Sequence, residues 1–236
     1  MWSSGLIGGG ALLAFLIFLA AGTPEIFDLG FGNTGALLWD GLFLCLLFFI
    51  QHSVMIRQSF KGMIERSIPE HCGPAVYSIA SGLALFAMII FWQTSTITIF
   101  AVPAPYGWLV YLGIPLAAAG FYWGVISLGE FDPFGLLRLR RHLQGQDVQP
   151  TAIKIRGPYR WVRHPLYLCM LILIWSHPEW RADRLLFNLI WSCWIVIGTM
   201  LEERDLVKSF GESYHLYRKS VPMLIPTSLQ PRMPRT

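Results

Sequence analysis

The chain has 236 residues, 54% of them hydrophobic and only 14% charged, with a net charge of +4. A soluble domain carries about a quarter charged residues to wet its surface, so this composition excludes an ordinary soluble domain and points to lipid as solvent. The excess of Lys and Arg stands beside no glycine-rich phosphate loop, zinc-finger spacing or aromatic RNA motif, so it reports membrane orientation rather than nucleic-acid binding.

Residues 1–24 and 76–129 contain no Asp, Glu, Lys, Arg or His. A span requires ~20 mostly apolar residues, so the second stretch is long enough for two. Six apolar helices are predicted, over residues 4–22, 36–51, 74–92, 108–128, 165–176 and 185–201. The first is expected to be a retained helix, since it lacks a basic leader region and Ala20-Ala21-Gly22 is a weak cleavage site. The fifth is short by hydropathy. It either starts in the interface or forms a tight hairpin with the sixth, and five spans is the alternative count. Pro165 suits the first position of that helix, where a missing N–H costs nothing. Beyond the sixth, Leu206, Phe210, Tyr214 and Tyr217 fall at spacings of three and four, which predicts an amphipathic tail helix over residues 202–217. Pro222 and Pro226 follow it and stop helical structure.

Basic residues alternate between connections. Arg57, Lys61 and Arg66 follow the second helix. Arg138, Arg140, Arg141, Lys154, Arg156, Arg160 and Arg163 follow the fourth, and Arg204, Lys208, Arg218, Lys219, Arg232 and Arg235 follow the sixth. The other connections hold only Arg181 and Arg184. The rich segments are therefore expected in the cytoplasm, with both termini. The fold class predicted is an all-α polytopic transmembrane helix bundle. It divides into N-terminal transmembrane helices over residues 1–128 and a region over 129–236 with a helical hairpin, an amphipathic tail and the candidate site. The four cysteines, Cys45, Cys72, Cys169 and Cys193, form no CxxC pair, so neither a disulfide framework nor a zinc site is expected.

Arg156 to Tyr167 immediately precede the fifth helix, and Glu202-Glu203 immediately follow the sixth. An antiparallel hairpin brings both to one cytoplasmic end, with an imidazole, guanidinium groups, tyrosine rings, two carboxylates and an open helix N-terminus. This mixture suits a zwitterionic, nucleoside-bearing cofactor, although composition does not identify it. The plainer alternatives are that Arg138, Arg140 and Arg141 are topology signals and lipid-headgroup anchors, and that Glu202-Glu203 begin a solvated helix.

Gly157-Pro158-Tyr159-Arg160, Arg163-His164-Pro165-Leu166-Tyr167, Glu202-Glu203-Arg204-Asp205-Leu206, Phe210-Gly211, Tyr214, Tyr217, Val221-Pro222 and Ile225-Pro226 occur in that order. Together they resemble the C-terminal signature of the isoprenylcysteine carboxyl methyltransferase and phospholipid methyltransferase superfamily. The resemblance implies S-adenosyl-L-methionine as cofactor, held at the cytoplasmic end of the last helices by Tyr159, Arg163, His164, Pro165, Tyr167, Glu202, Glu203 and Tyr214.

A narrower resemblance rests on residues 47–55 (LFFIQHSVM), 131–136 (FDPFGL) and 201–207 (LEERDLV). These are similar to bacterial methanethiol S-methyltransferases, which methylate methanethiol to dimethyl sulfide, and they imply an inner-membrane enzyme with a small thiol acceptor. NnrU-like membrane proteins share the Gln-His-Ser segment but less of the Glu-Glu tail. The chain departs from the pattern at Cys169, where the wider family often has glycine, and at Pro133, which interrupts an expected FDLFG.

On the acceptor side a thiol reacts as thiolate, so a base is needed. His52, on the cytoplasmic face at the end of the second helix, is the candidate, with Asp132 behind it and Gln51, Phe131 and Phe134 as substrate contacts. Its plainer alternative is an interfacial histidine bonded to a backbone carbonyl. No second His or carboxylate lies three or four residues from His52, so no metal role is assigned. Two other functions fit parts of the sequence: methyl transfer to a lipid or isoprenylcysteine, and a non-enzymatic NnrU-like assembly factor or carrier. The second does not account for the paired RHPxY and Glu-Glu motifs.

Overall fold

The computed structural model describes residues 2–22, 26–57, 60, 62–63, 68–129, 132–145, 153–228 and 230–231. Phe131, Lys61, Arg66, Arg232 and Arg235 lie outside the described residues. The helices, in chain order, are α1 (Trp2–Ala21), α2 (Asn33–Ile56), α3 (Gly73–Ile90), α4 (Gly107–Leu128), α5 (Leu136–Leu143), α6 (Pro165–Trp175), α7 (Ala182–Phe210) and α8 (Glu212–Ser220). Two short strands, β1 (Thr98–Ala101) and β2 (Glu179–Arg181), precede α4 and α7. Among the described residues five helices, α1, α2, α3, α4 and α7, are long and apolar enough to cross a bilayer. The chain is an integral membrane protein of the all-α polytopic class that the sequence predicts.

The chain folds as two compact units. The first holds α1, α2, α3, both strands, α5 and α7 as far as Trp191; the second holds α4, α6, α7 from Ser192 and α8.

In the first unit α1 packs closely on α3, because the residues between them are small. A Cβ at Gly8 would strike Ser78 and Phe134, and one at Gly82 would lie 3.1 Å from the carbonyl oxygen of Ile7. Such contacts replace the hydrophobic effect as the glue between helices in lipid. Further along, Phe15, Phe18, Phe48, Phe49, Trp92, Phe187 and Trp191 form a buried aromatic core. Phe15 and Trp191 stack at 4.9 Å, and Phe18 meets Trp92 edge-on at 5.6 Å.

A polar knot adjoins that core. Asp183 accepts from the Trp92 indole at 3.1 Å and from Ser95 N–H at 3.2 Å. Asp40, on a π-helical stretch of α2 (Trp39–Cys45), accepts from Gln93 N–H at 3.0 Å. Arg184 donates to the carbonyls of Phe18 and Leu19 at 3.2 and 2.7 Å, satisfying acceptors that the last turn of α1 leaves open.

The strands were not predicted. β1 pairs antiparallel with β2, Thr98 opposite Arg181 and Ala101 opposite Glu179, which puts the α3–α4 and α6–α7 connections on the same side.

In the second unit α4 and α6 run antiparallel. Cβ atoms built on Gly113, Gly120 and Gly124 would fall on Ser176, Cys169 and Leu166 respectively, and Ala117 between them is buried. The positions 113, 117, 120 and 124 make one small-residue face of α4. Eleven residues of α6 rise only about 16 Å, short of a ~30 Å hydrocarbon core. The antiparallel contact nevertheless brings the end of α6 to the N-terminal part of α4, where Ser176 lies against Gly113, and β2 begins at Glu179. Pairing with β1 satisfies backbone groups that no helix covers there.

The tail differs from expectation. The sixth helix does not end at residue 201; α7 continues to Phe210, breaks at Gly211 (φ +55°), and α8 follows. The break folds α8 back, so that Tyr214, Tyr217 and Val221 form a small core with Ile153, Ile155, Leu206, Val207 and Phe210. Glycine fits the left-handed turn, which other residues adopt at a cost.

Candidate functional site

The site residues of the second unit lie where α6 begins and α7 nears its end. The Gly157–Arg160 turn packs on α4: a Cβ on Gly157 (φ +53°) would stand 3.0 Å from the Trp123 indole nitrogen and strike Ser127. Trp161 then lies against Trp123, ring centroids 5.5 Å apart. Tyr159 is half-buried, and burial with the nearby Glu202 charge pushes its phenol up to about 12, so it remains a neutral donor at physiological pH. Its carbonyl accepts from the Tyr217 hydroxyl at 2.6 Å.

Arg163 and His164 lead into α6, and their N–H groups donate to the carbonyls of Pro222 and Met223 at 2.9 and 3.1 Å. Pro165 opens α6 at its first position, as expected.

Adjacent residues on a helix point about 100° apart, so Glu202 and Glu203 face different surroundings. Glu203 is buried, 4% exposed. Its Oε1 accepts from Arg163 Nε at 2.5 Å and lies 3.3 Å from His164 Nε2 and 3.4 Å from the Tyr214 hydroxyl. Arg218 Nε stands 3.3 Å from Oε2. The guanidinium of Arg163 also donates to the carbonyls of Val221 and, at 3.1 Å, Arg218.

Glu202 faces outward with its side chain 44% exposed. It accepts from the Tyr167 hydroxyl at 2.7 Å, and His164 Nδ1 lies 3.9 Å away. The His164 and Tyr167 rings stack at 5.6 Å and 19°. The arrangement is an accessible carboxylate, a phenol and an aromatic face, set over a buried carboxylate that four side chains already engage. Arg163, His164, Tyr167, Glu202, Glu203 and Tyr214 are thus brought together. Arg218 belongs with them and was not assigned to the site from sequence, and the Val221-Pro222 motif enters through its carbonyls, a role that side-chain types do not reveal.

The described acceptor candidates, Gln51, His52, Asp132 and Phe134, fall in the first unit. Gln51 and His52 sit in the last turns of α2. The Tyr77 hydroxyl lies 3.0 Å from His52 Nδ1 and 2.9 Å from Nε2, and the imidazole stacks on Phe48 at 5.2 Å. The partner of His52 is therefore a side chain of α3 rather than a backbone carbonyl. Gln51 Nε2 donates to Ser81 Oγ at 3.4 Å and contacts Met55 Sδ at 2.9 Å, while its Oε1 has no hydrogen-bond partner among the described residues. Phe134 packs at Gly8 beside Ser78. Asp132 turns the chain there, its carbonyl accepting from Gly135 N–H at 3.4 Å. Tyr77 was not singled out from sequence; the signal was an isolated polar aromatic one turn into α3, opposite the end of α2 that carries His52.

No family model matches the chain, and no solved structure matches it. Its sequence is 36% identical over 217 residues to the methanethiol S-methyltransferase of a Pseudomonas species, covering 89% of this chain and 82% of that one. The Mycobacterium tuberculosis protein of the same name is 31% identical over 78% of this chain and 76% of its own. Mouse Nurim is 27% identical over 72% of this chain and 68% of its own. With identity above 30% extending over most of both chains, the protein belongs to the methanethiol S-methyltransferase family.

Proposed function

We propose that this protein is an S-adenosyl-L-methionine-dependent methyltransferase whose acceptor is methanethiol and whose product is dimethyl sulfide. The observation that carries the reading is the rim of Glu202, Tyr167 and His164 beside the first turn of α6. The donor set fits the cofactor: a carboxylate for an ammonium or ribose hydroxyl, N–H groups of a helix start for a carboxylate, and flat rings for a base. Tyr159, His164, Pro165, Tyr167 and Glu202 form the contact surface, with Arg163, Glu203 and Tyr214 bracing it from within. When bound, the cofactor supplies an electrophilic methyl group on a sulfonium. The chemistry is an in-line displacement, so the protein's part is positioning and exclusion of water.

On the acceptor side His52 removes the thiol proton as the sulfur–carbon bond forms, and Tyr77 holds the imidazole. Asp132, Gln51, Phe131 and Phe134 complete the acceptor contacts. A small apolar thiol reaches them through lipid. The region 129–236 carries the cofactor, and its cofactor contacts lie on the cytoplasmic side of the bacterial inner membrane, with both termini, as the distribution of Lys and Arg supports.

The test is a volatile-product assay on the purified protein with S-adenosyl-L-methionine and a panel of methanethiol, sulfide, a selenol, phosphatidylethanolamine and a prenylated cysteine. Dimethyl sulfide from methanethiol is the expected product. Methyl label appearing in lipid or prenylcysteine, with none in methanethiol, overturns the acceptor assignment. The variant His52→Ala should lose about 10²–10⁴ in rate, with cofactor affinity kept and partial recovery at high pH, where the thiol ionises unaided.

A further inference from the structure

Glu203 holds the centre of the second unit's polar cluster through two oxygens with different partners. Oε1 takes Arg163, His164 and Tyr214, all contributed by the recognised motifs. Oε2 takes Arg218 Nε at 3.3 Å, from α8. The carbonyl of Arg218 in turn accepts from Arg163 Nη1 at 3.1 Å. Arg218 therefore closes a ring: its side chain lies on Glu203, its main chain on Arg163, and Arg163 on Glu203. The chain just beyond continues the same contact, through Val221 to the Arg163 guanidinium and through Pro222 and Met223 to the N–H groups of Arg163 and His164. Val221 and Leu224 are buried beneath it.

A buried carboxylate is stable only when its lone pairs are met. Without Arg218, Oε2 of Glu203 loses that cation and the carboxylate is held through Oε1 alone, so a rotation about that oxygen shifts its contact with His164. We propose that Arg218 is a positioning residue for the methyl-donor site, acting through Glu203 and Arg163 on His164 without touching the donor itself. The inference rests on the cofactor reading above. Lys219 supplies an internal comparison, since it carries the same charge one residue along and is exposed on the same helix.

The experiment compares the full chain in phospholipid nanodiscs with Arg218→Ala, Arg218→Lys, Lys219→Ala and Glu202→Gln. It measures equilibrium binding of S-adenosyl-L-methionine, KM for the donor, kcat at saturating donor, and thermal melting. Arg218 is itself 43% exposed, so Arg218→Ala should raise the donor KM by up to about fivefold, the upper range for one solvent-screened ion pair, with kcat within about twofold and melting close to the parent. Arg218→Lys should recover most of the loss, because a single ammonium can serve Oε2. Lys219→Ala should match the parent. An Arg218→Ala donor KM equal to that of Lys219→Ala, or no recovery in Arg218→Lys, overturns the inference. If Arg218→Ala does not fold, Arg218→Gln takes its place against Arg218→Lys with the same criteria. Absence of donor binding in the parent overturns the cofactor reading and this inference together. Binding lost in Glu202→Gln but unmoved in Arg218→Ala overturns this inference alone.

Discussion

The first unit buries Asp183, Arg184 and Asp40, and the second buries Glu203, Arg163 and His164, yet the two clusters are built to different ends. In the first, Asp183 ties Trp92 to Ser95 and Arg184 caps the last turn of α1, so the partners are main-chain and indole groups that would otherwise be unmet in lipid. The described contacts of that knot face inward. In the second, the buried Glu203 is saturated, but its neighbour Glu202 reaches outward with Tyr167 beside it. Buried charge alone does not mark a site in a membrane protein. A saturated centre that holds an accessible polar rim does, because the rim keeps its geometry while its lone pairs remain available to a ligand.

That contrast is open to attack at four positions. Removing Glu203 should have the largest effect: Glu203→Ala leaves Arg163, His164 and Arg218 without their common carboxylate, costs about 3–5 kcal/mol, and abolishes donor binding. Detectable donor binding by Glu203→Ala at parent affinity would erase the distinction between centre and rim. Next is Asp183→Ala, which strands the Trp92 and Ser95 N–H groups and should cost about 2–4 kcal/mol in thermal or denaturant melting. At a temperature where the variant is folded its donor KM should equal the parent's, and a large rise in KM would mean that the knot belongs to the site after all. Glu202→Gln is the converse experiment. Its melting should stay within about 0.5 kcal/mol of the parent while donor affinity falls about tenfold, as read by titration calorimetry. A variant that melts early but binds normally would place Glu202 among the structural residues. The smallest effect is expected at Asp40, whose Oδ2 has no hydrogen-bond partner among the described residues. Asp40→Asn keeps an acceptor for Gln93 N–H and should shift stability by less than about 1 kcal/mol; a loss as large as that of Asp183→Ala would show an interaction beyond the one seen.

Much of this protein is legible without coordinates, and the reason is the solvent. Lipid demands long apolar helices with few charges, so α1, α2, α3, α4 and α7 stand out by composition. The short α6 was identified by Pro165 and the motif before it more than by hydropathy. The order of RHPxY and Glu-Glu around a hairpin implied that His164, Tyr167, Glu202 and Glu203 would meet, and they do. Other features depend on contacts between residues far apart in the chain. The pairing of β1 with β2 joins two connections on either side of α4 and α6, and strands of four and three residues carry too little pattern to be read locally. Tyr77 meets His52 only because α2 and α3 are antiparallel neighbours. The continuation of α7 to Phe210 is decided by Tyr214, Tyr217 and Val221 folding back over its last turns, which Gly211 permits. Sequence by itself determined which residues are polar in an apolar chain and at which end of which helix they lie. Only the tertiary structure decided that Glu203 turns into a shell of Arg163, His164, Tyr214 and Arg218 while Glu202 turns out, because a helix separates adjacent side chains by direction, and the packed surroundings determine what each direction meets.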